Sequence, residues 1–361
     1  MSAPFNPNTL TFTGDIVKSS AEAVFVSAFS NPDVSQLVSI VPGIKTKKQI
    51  AILGRFNSLL GLGSGECNPS GRTVTSALTG KEWNPATISD RLTYCWTEIA
   101  ETFFIWGTKN GLEKSDLTST DFALFIEQQL SPELKETWMR LAYFGDTDAA
   151  NYDDSPAGVI TNGTNLAFFN KIDGIWKQIY AIVGADSTRK TAGLATKNAQ
   201  STYALQAFNS TDTTNKVVMN LLFDMEVNAD SRLIAKEGLV FNVTKSVFDQ
   251  YRRELTFANI SFTTERLENG MMQINAGGIP VVCVEFWDRI IKAYYNNGTK
   301  YYLPHRAILF VPENIQVGTE EEGNLSEYDM FYDKITKTTN VDFQFNLDAK
   351  VIIDHEIQVA Y

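Results

Sequence analysis

The chain has 361 residues, room for two or three folding units at roughly 100–200 residues each. Hydrophobic residues at 43% and aromatic residues at 12% can fill a core, which excludes a wholly disordered chain. A formal net charge of −11 gains nothing from the counterion release that drives binding to phosphate backbones, which excludes a direct reader of nucleic acid.

Cys67, Cys95 and Cys283 are too scattered for a disulfide framework or a metal knuckle, so a reduced, cytosolic folding environment is expected. Met1-Ser2-Ala3-Pro4-Phe5 carries neither the basic region nor the apolar stretch of a signal peptide. No apolar run approaches the roughly 18 residues that span a bilayer, so no membrane is expected as a partner.

Residues 1–50 alternate short apolar runs, such as Thr9-Leu10-Thr11-Phe12, with Pro32 and Pro42-Gly43. This reads as an extended arm with at most one short helix near 19–29, lying on its own body or on a neighbour. Gly54, Gly61, Gly63, Gly65, Gly71 and Gly80 then punctuate a polar stretch flanked by candidate strands Gln49–Leu53 and Ser89–Thr97. The two strands are expected to frame a long excursion, marginal in isolation and, at that length, functional or disordered. Phe122, Ile126, Leu130, Leu134, Trp138 and Leu141 share one face of a helix predicted over 120–144. Pro132 interrupts it, and a proline inside a helix costs about 3 kcal/mol, so a kink or two abutting helices are expected. Residues 145–166 read as a polar linker.

The second half reads as an α+β domain. A helix follows Thr213-Thr214, with Val217, Val218, Leu221, Leu222 and Met225 on one face. Strand Leu239–Val243 leads through Thr244, a candidate N-cap, into a helix carrying Val247, Phe248, Tyr251 and Leu255. Glu268-Asn269-Gly270 is a hairpin signal, Gly278–Val284 a buried strand, and Trp287, Ile290, Ile291 and Tyr294 a helical face ending at Asn296-Asn297-Gly298. Ala307–Val311 is another strand, and Val341–Tyr361 alternates like one long sheet strand.

None of the motifs that could carry chemistry holds up. Gly61–Thr73 has five residues between Gly65 and Gly71, and Arg72 where a phosphate-binding loop needs lysine, so nucleotide binding is rejected. His305 and His355 lack ligand spacing, and Asp354 and Glu356 would face away from His355 in an alternating strand. No Gly-x-Ser-x-Gly elbow accompanies them. No catalytic residue, metal or cofactor is assigned. Glu320-Glu321-Glu322 reads as a solvated loop, Lys45, Lys47 and Lys48 as a hinge or an ion-pair site between subunits, and Tyr294-Tyr295 and Tyr301-Tyr302 as core or interface aromatics.

Taken in order, these segments resemble the major capsid proteins of tailed double-stranded DNA bacteriophages. The likeness lies in Leu239–Leu255, in Asn269-Gly270 followed by Gly278-Ile279-Pro280-Val281-Val282, in His305–Val311 followed by Asn314-Ile315-Gln316-Val317-Gly318, and in the closing Val359-Ala360-Tyr361. It spans essentially the whole chain in segment order, the first half by architecture rather than by letters. It implies an α+β chain of the Hong Kong 97-like capsid fold. The parts are an N-terminal arm (1–47), an extended loop forming a β-hairpin (48–97), a peripheral domain (98–184 and 311–361) with spine helix 120–144, and an axial domain (185–310).

The resemblance further implies a non-enzymatic subunit that assembles as pentamers and hexamers into an icosahedral shell around viral DNA, without sequence-specific binding. Contacts between subunits would fall on Arg55, Phe56, Arg72, Lys81 and Trp83 of the loop and on Phe5, Phe12, Lys45, Lys47 and Lys48 of the arm. The implied partners are further copies of the chain, portal and decoration proteins, and a separate scaffold protein or none, because the family's frequent charged scaffolding region is missing. The implied location is the virion, assembled in the host cytoplasm. An encapsulin-like nanocompartment shell shares the fold, and an α+β enzyme with a Gly-rich lid over 61–80 is the reading from another class.

Overall fold

The computed structural model describes residues 37–53, 78–95, 134, 136–149, 168–267, 271–275, 278–320, 327–333, 335 and 338–361. Its centre is a six-stranded sheet built from short apolar runs. They are β5 (Val240–Val243), β6 (Thr263–Arg266), β7 (Met272–Asn275), β8 (Val281–Cys283), β9 (Ala307–Phe310) and β13 (Ile357–Ala360), in the order β13-β9-β5-β8-β7-β6. Only β5 and β8 run parallel.

β5, β8, β9 and β13 are buried along their whole length, because both faces of the sheet are covered. The two-residue period divides the side chains between two cores. Val240, Val282, Ile308 and Phe310 face one, and Phe241, Val281, Cys283 and Leu309 face the other.

The first core is closed by helical residues 136–144, by α1 (Ile175–Ala185) and by α4 (Glu285–Tyr294), whose Trp176 and Trp287 rings meet edge to face at 5.2 Å. The second is closed by α2 (Val217–Asn228) and α3 (Lys245–Phe257), through Val218, Leu221, Leu222 and Met225 on one and Val247, Phe248 and Leu255 on the other. α1 is absent from the sequence reading. Of the 120–144 helix, residues 136–144 are described as helical with Trp138 and Leu141 buried, whereas Phe122, Ile126, Leu130 and Pro132 lie outside the described residues.

Glycine decides how the end of that helix meets α1. A Cβ on Gly145 would lie 2.5 Å from the Ile172 carbonyl oxygen, and one on Gly174 would lie 2.6 Å from the Gly145 nitrogen. Without them the Gly174 amide donates to the Gly145 carbonyl at 2.8 Å, and Lys177 pairs with Asp146, Asp148 and Asp173 around the joint.

Several sequence expectations change at the C-terminal end of the chain. Val341–Tyr361 is two strands in two sheets: β12 (Thr338–Val351) ends, the chain turns, and β13 joins β9. Asn314 makes the turn. Its carbonyl accepts from Ile352 N (2.9 Å), its Oδ1 from Ile353 N (2.7 Å), and its Nδ2 donates to the Ile353 and Glu356 carbonyls, each at 3.0 Å. β13 thereby sits in the same sheet as residues 240–310, across the boundary at 311 that the sequence drew. His355 falls in the turn rather than in a strand.

Strand pairing near the loop also differs. β2 (Lys48–Leu53) pairs with β3 (Leu78–Trp83), not with residues 89–97. β4 (Ala86–Cys95) instead lies along β12 over ten register positions, fixed by Arg91 on Asp342, Thr93 on Asn340 at 2.9 Å and Thr87 on Asn346 at 2.8 Å. With β1 (Ser39–Val41), β10 (Ile315–Thr319) and β11 (Glu327–Asp333), this completes a five-stranded sheet.

The hairpin turn expected at 268–270 lies outside the described residues, but its flanks, β6 and β7, pair antiparallel. Thr244 holds the position before α3, yet its hydroxyl bonds no helix amide. The Lys245 amide is taken by Asp288 Oδ2 at 2.6 Å, while the Thr244 hydroxyl accepts from Arg306 N at 3.2 Å.

Candidate assembly surface

Among the described residues, the arrangement around His305 resembles reaction chemistry but is structural. His305 is 3% exposed, with Nε2 2.8 Å from the Gln206 carbonyl and Nδ1 2.7 Å from Ser246 Oγ. A carbonyl only accepts, so Nε2 carries the proton and Nδ1 accepts from the serine. Burial holds the imidazole pKa down at about 4. A backbone carbonyl stands where a catalytic triad places a carboxylate, and it supports an imidazolium poorly. The nearby α3 amide of Lys245 is already occupied by Asp288. Among the described residues no group of His, Cys, Asp or Glu is placed to hold a metal ion. Among them, too, no helix is long and apolar enough to cross a membrane.

The residues expected to face other subunits separate into three groups. Phe5, Phe12, Arg55, Phe56 and Arg72 lie outside the described residues. Lys47 and Lys48 are exposed at the start of the β2–β3 hairpin. Lys45, Lys81 and Trp83 engage their own chain. Lys45 pairs with Glu320 at 3.1 Å, Lys81 reaches the Val351 carbonyl and Asp354, and Trp83, 3% exposed, lies over Gly318 beside Ile44. Those three fix the root of the hairpin to the five-stranded sheet. Tyr295 is buried as expected for a core aromatic, and Tyr294, Tyr301 and Tyr302 are half-buried.

The surface the sequence reading missed lies on α2 and α3. Phe223 is 63% exposed, Val227 65% and Phe257 56%, each on a helix whose opposite face is packed. A signal was present. α2 is apolar beyond its core stripe of Val218, Leu221, Leu222 and Met225, and an apolar stripe wider than one core needs marks a second buried face.

No protein-family model matches the sequence, and no curated protein matches it. Solved structures do. A chain of the satellite phage P4 procapsid, in a particle that includes the size-determination protein Sid, is 11% identical with a TM-score of 0.51, over 96% of this chain and 98% of that one. A chain of the capsid of cyanophage P-SCSP1u is 12% identical at a TM-score of 0.47, over 90% and 86% of the two chains. The virus-like particle from Pyrococcus furiosus gives 8% identity and 0.42, over 96% and 98%. The first of these matches, spanning both chains nearly end to end, establishes that the chain has the Hong Kong 97-type α+β fold.

Proposed function

We propose that the chain is a major capsid subunit. It is a structural, non-enzymatic protein that assembles from pentamers and hexamers into an icosahedral shell enclosing a phage genome. The observation that carries this reading is the end-to-end fold match to a procapsid chain, 96% of one against 98% of the other. The self-satisfied His305–Ser246 pair and the exposed apolar helix faces support it. On this reading residues 1–47 are the arm, 48–97 the extended loop with its β4 laid into the peripheral sheet, 120–144 the spine helix, 98–184 and 311–361 the peripheral domain and 185–310 the axial domain, whose sheet β13 completes. Arg55, Phe56 and Arg72 of the loop, Phe5 and Phe12 of the arm, and the exposed Lys47 and Lys48 reach neighbouring copies. Lys45, Lys81 and Trp83 aim the hairpin from its root.

Obligate contacts of this kind bury about 2,000–5,000 Å² each. An acidic chain, net −11, leaves enclosed DNA unbound by sequence. Portal and decoration proteins, with a separate scaffold protein or none, are the further partners, and the virion, assembled in the host cytoplasm, is the location. Sedimentation velocity and negative-stain microscopy of the purified chain test the proposal. Closed particles are expected. A chain that stays monomeric at every concentration would overturn it.

A further inference from the structure

α2 shows a mixed face to solvent: Phe223 and Val227, one turn apart, with Asp224 and Glu226 beside them. Among the described residues neither carboxylate has an ion-pair partner. On the same face of the sheet a cleft of about 880 Å³ opens between α3, the short helix Ser210–Thr214 and β7. Arg252, Arg253, Phe257 and Met272 line it, and neither guanidinium has an ion-pair partner among the described residues. The one carboxylate lining the cleft, Asp249, is paired with Lys245 at 3.1 Å. One face is therefore acidic and apolar, the other basic and apolar.

Their placement matters as much as their chemistry. α2 packs over β13 and α3 over β8, and the two helices pack on each other, so in the order β13-β9-β5-β8-β7-β6 α2 lies toward the β13 edge and the cleft, lined by Met272 of β7, toward the other. Complementary patches at two different places on a subunit make a head-to-tail contact, which closes into a ring when the rotation divides the circle. A chain of net charge −11 repels its own copies in general, so a local basic cleft supplies the attraction that selects one docking orientation.

We propose that the α2 face of one copy docks into the α3–β7 cleft of the next, with Phe223 and Val227 against Phe257 and Met272 and with Asp224 and Glu226 facing Arg252 and Arg253. The proposal rests on the shell reading and names the contact that would close its rings.

Three full-length variants test it by sedimentation velocity, with circular dichroism reporting the fold: D224R/E226R, R252E/R253E and the combined four-residue swap. Each half-swap sets like charges against each other and should weaken association by on the order of a hundred-fold. The combined swap restores every pair and should return association to near the parent level. Mixed one to one, the two half-swaps should alternate and rebuild even-membered rings only. Half-swaps that associate like the parent, or a folded combined swap that does not associate, would overturn the contact while leaving the shell reading intact. Parent chains that never associate would overturn both. A cleft variant that assembles normally but no longer holds double-stranded DNA would assign the cleft to the genome instead.

Discussion

Gly318→Ala offers a test of how the loop is held. Gly318 sits in β10 between Val41 and Asp348, beneath the Trp83 ring at the end of β3. An alanine Cβ there would lie 2.9 Å from Trp83 Cζ3, 3.0 Å from Cε3 and 3.1 Å from Ile44 Cγ1. Ordinary carbon contacts need about 3.5–4.0 Å, so the ring must move by several tenths of an ångström or more. Overpacking of that size costs about 1–3 kcal/mol. Trp83→Ala leaves a cavity instead and should cost about 3–5 kcal/mol. Combined, the two changes should not add. With the indole gone the new methyl enters vacated space, and alanine in a strand gains about 0.5–1 kcal/mol over glycine. The coupling should therefore reach about 2–3 kcal/mol, with the sign of the Gly318→Ala effect reversed. Urea unfolding of the unassembled subunit measures all four corners of the cycle. Additivity within about 0.5 kcal/mol would mean that Trp83 and Gly318 do not pack as described. The Gly318→Ala single variant should also assemble less well than its small stability loss warrants, because the displaced ring carries the hairpin with it.

Two further predictions concern buried polar groups. Glu254 is fully buried, and its carboxylate accepts from Val218 N at 3.2 Å, Met219 N at 2.7 Å and Gln250 Nε2 at 2.8 Å, so α3 caps the start of α2. Glu254→Ala strands all three donors and should cost about 3 kcal/mol or more, read as a lowered urea midpoint; a loss under about 0.5 kcal/mol would show the cap to be idle. His305 titrates near 4 in the fold against about 6.5 unfolded, so as pH falls through that window the unfolded chain takes up the proton first and stability is lost, about 3 kcal/mol in full. Asp288, pushed up to about 6 chiefly by burial, acts with the opposite sign, its contribution present below about pH 4 and lost as pH rises to 6. The stability gap between the parent and His305→Gln should accordingly narrow from pH 7 to pH 4.5; a gap that stays constant would place the imidazole in contact with solvent.

The parts of the fold legible in the sequence were those where local pattern and tertiary role agree. The stripe Val218, Leu221, Leu222 and Met225 and the stripe Trp287, Ile290 and Ile291 recur at helical spacing, and the face they share is the one the fold buries. α1 has an equally good stripe in Ile175, Trp176, Ile179 and Ile182, but Gly174 offers no side chain as a cap and neither end carries a helpful charge, so no boundary signal announced it. The final strand was read as one because alternation persists through Val351 and resumes at Ile357. The break between them comes from Asn314, some forty positions away, and no local pattern carries that. The pairing of β4 is hidden for the same reason: its partner, β12, lies about 250 residues downstream.

The candidate surface was harder to read than the fold, and the cause is physical. A catalytic site concentrates unusual residues, so its letters stand out even in one sequence. A self-association surface is made of ordinary ones, and Phe223 or Phe257 becomes informative only once the rest of its helix is known to be packed elsewhere. Lysines near a loop suggest a contact between chains, yet Lys45 and Lys81 find carboxylates in their own chain at Glu320 and Asp354. Arg252 and Arg253 carry no signal in the sequence, because a charged helix face is usually just solvated. What distinguishes them is the combination of a concave setting, an exposed phenyl ring and no ion pair among the described residues, the cleft's own Asp249 being paired with Lys245. Burial and pairing narrow the search to charges left over after a subunit has satisfied itself, and a concave, partly apolar setting sets Arg252 and Arg253 apart from the rest.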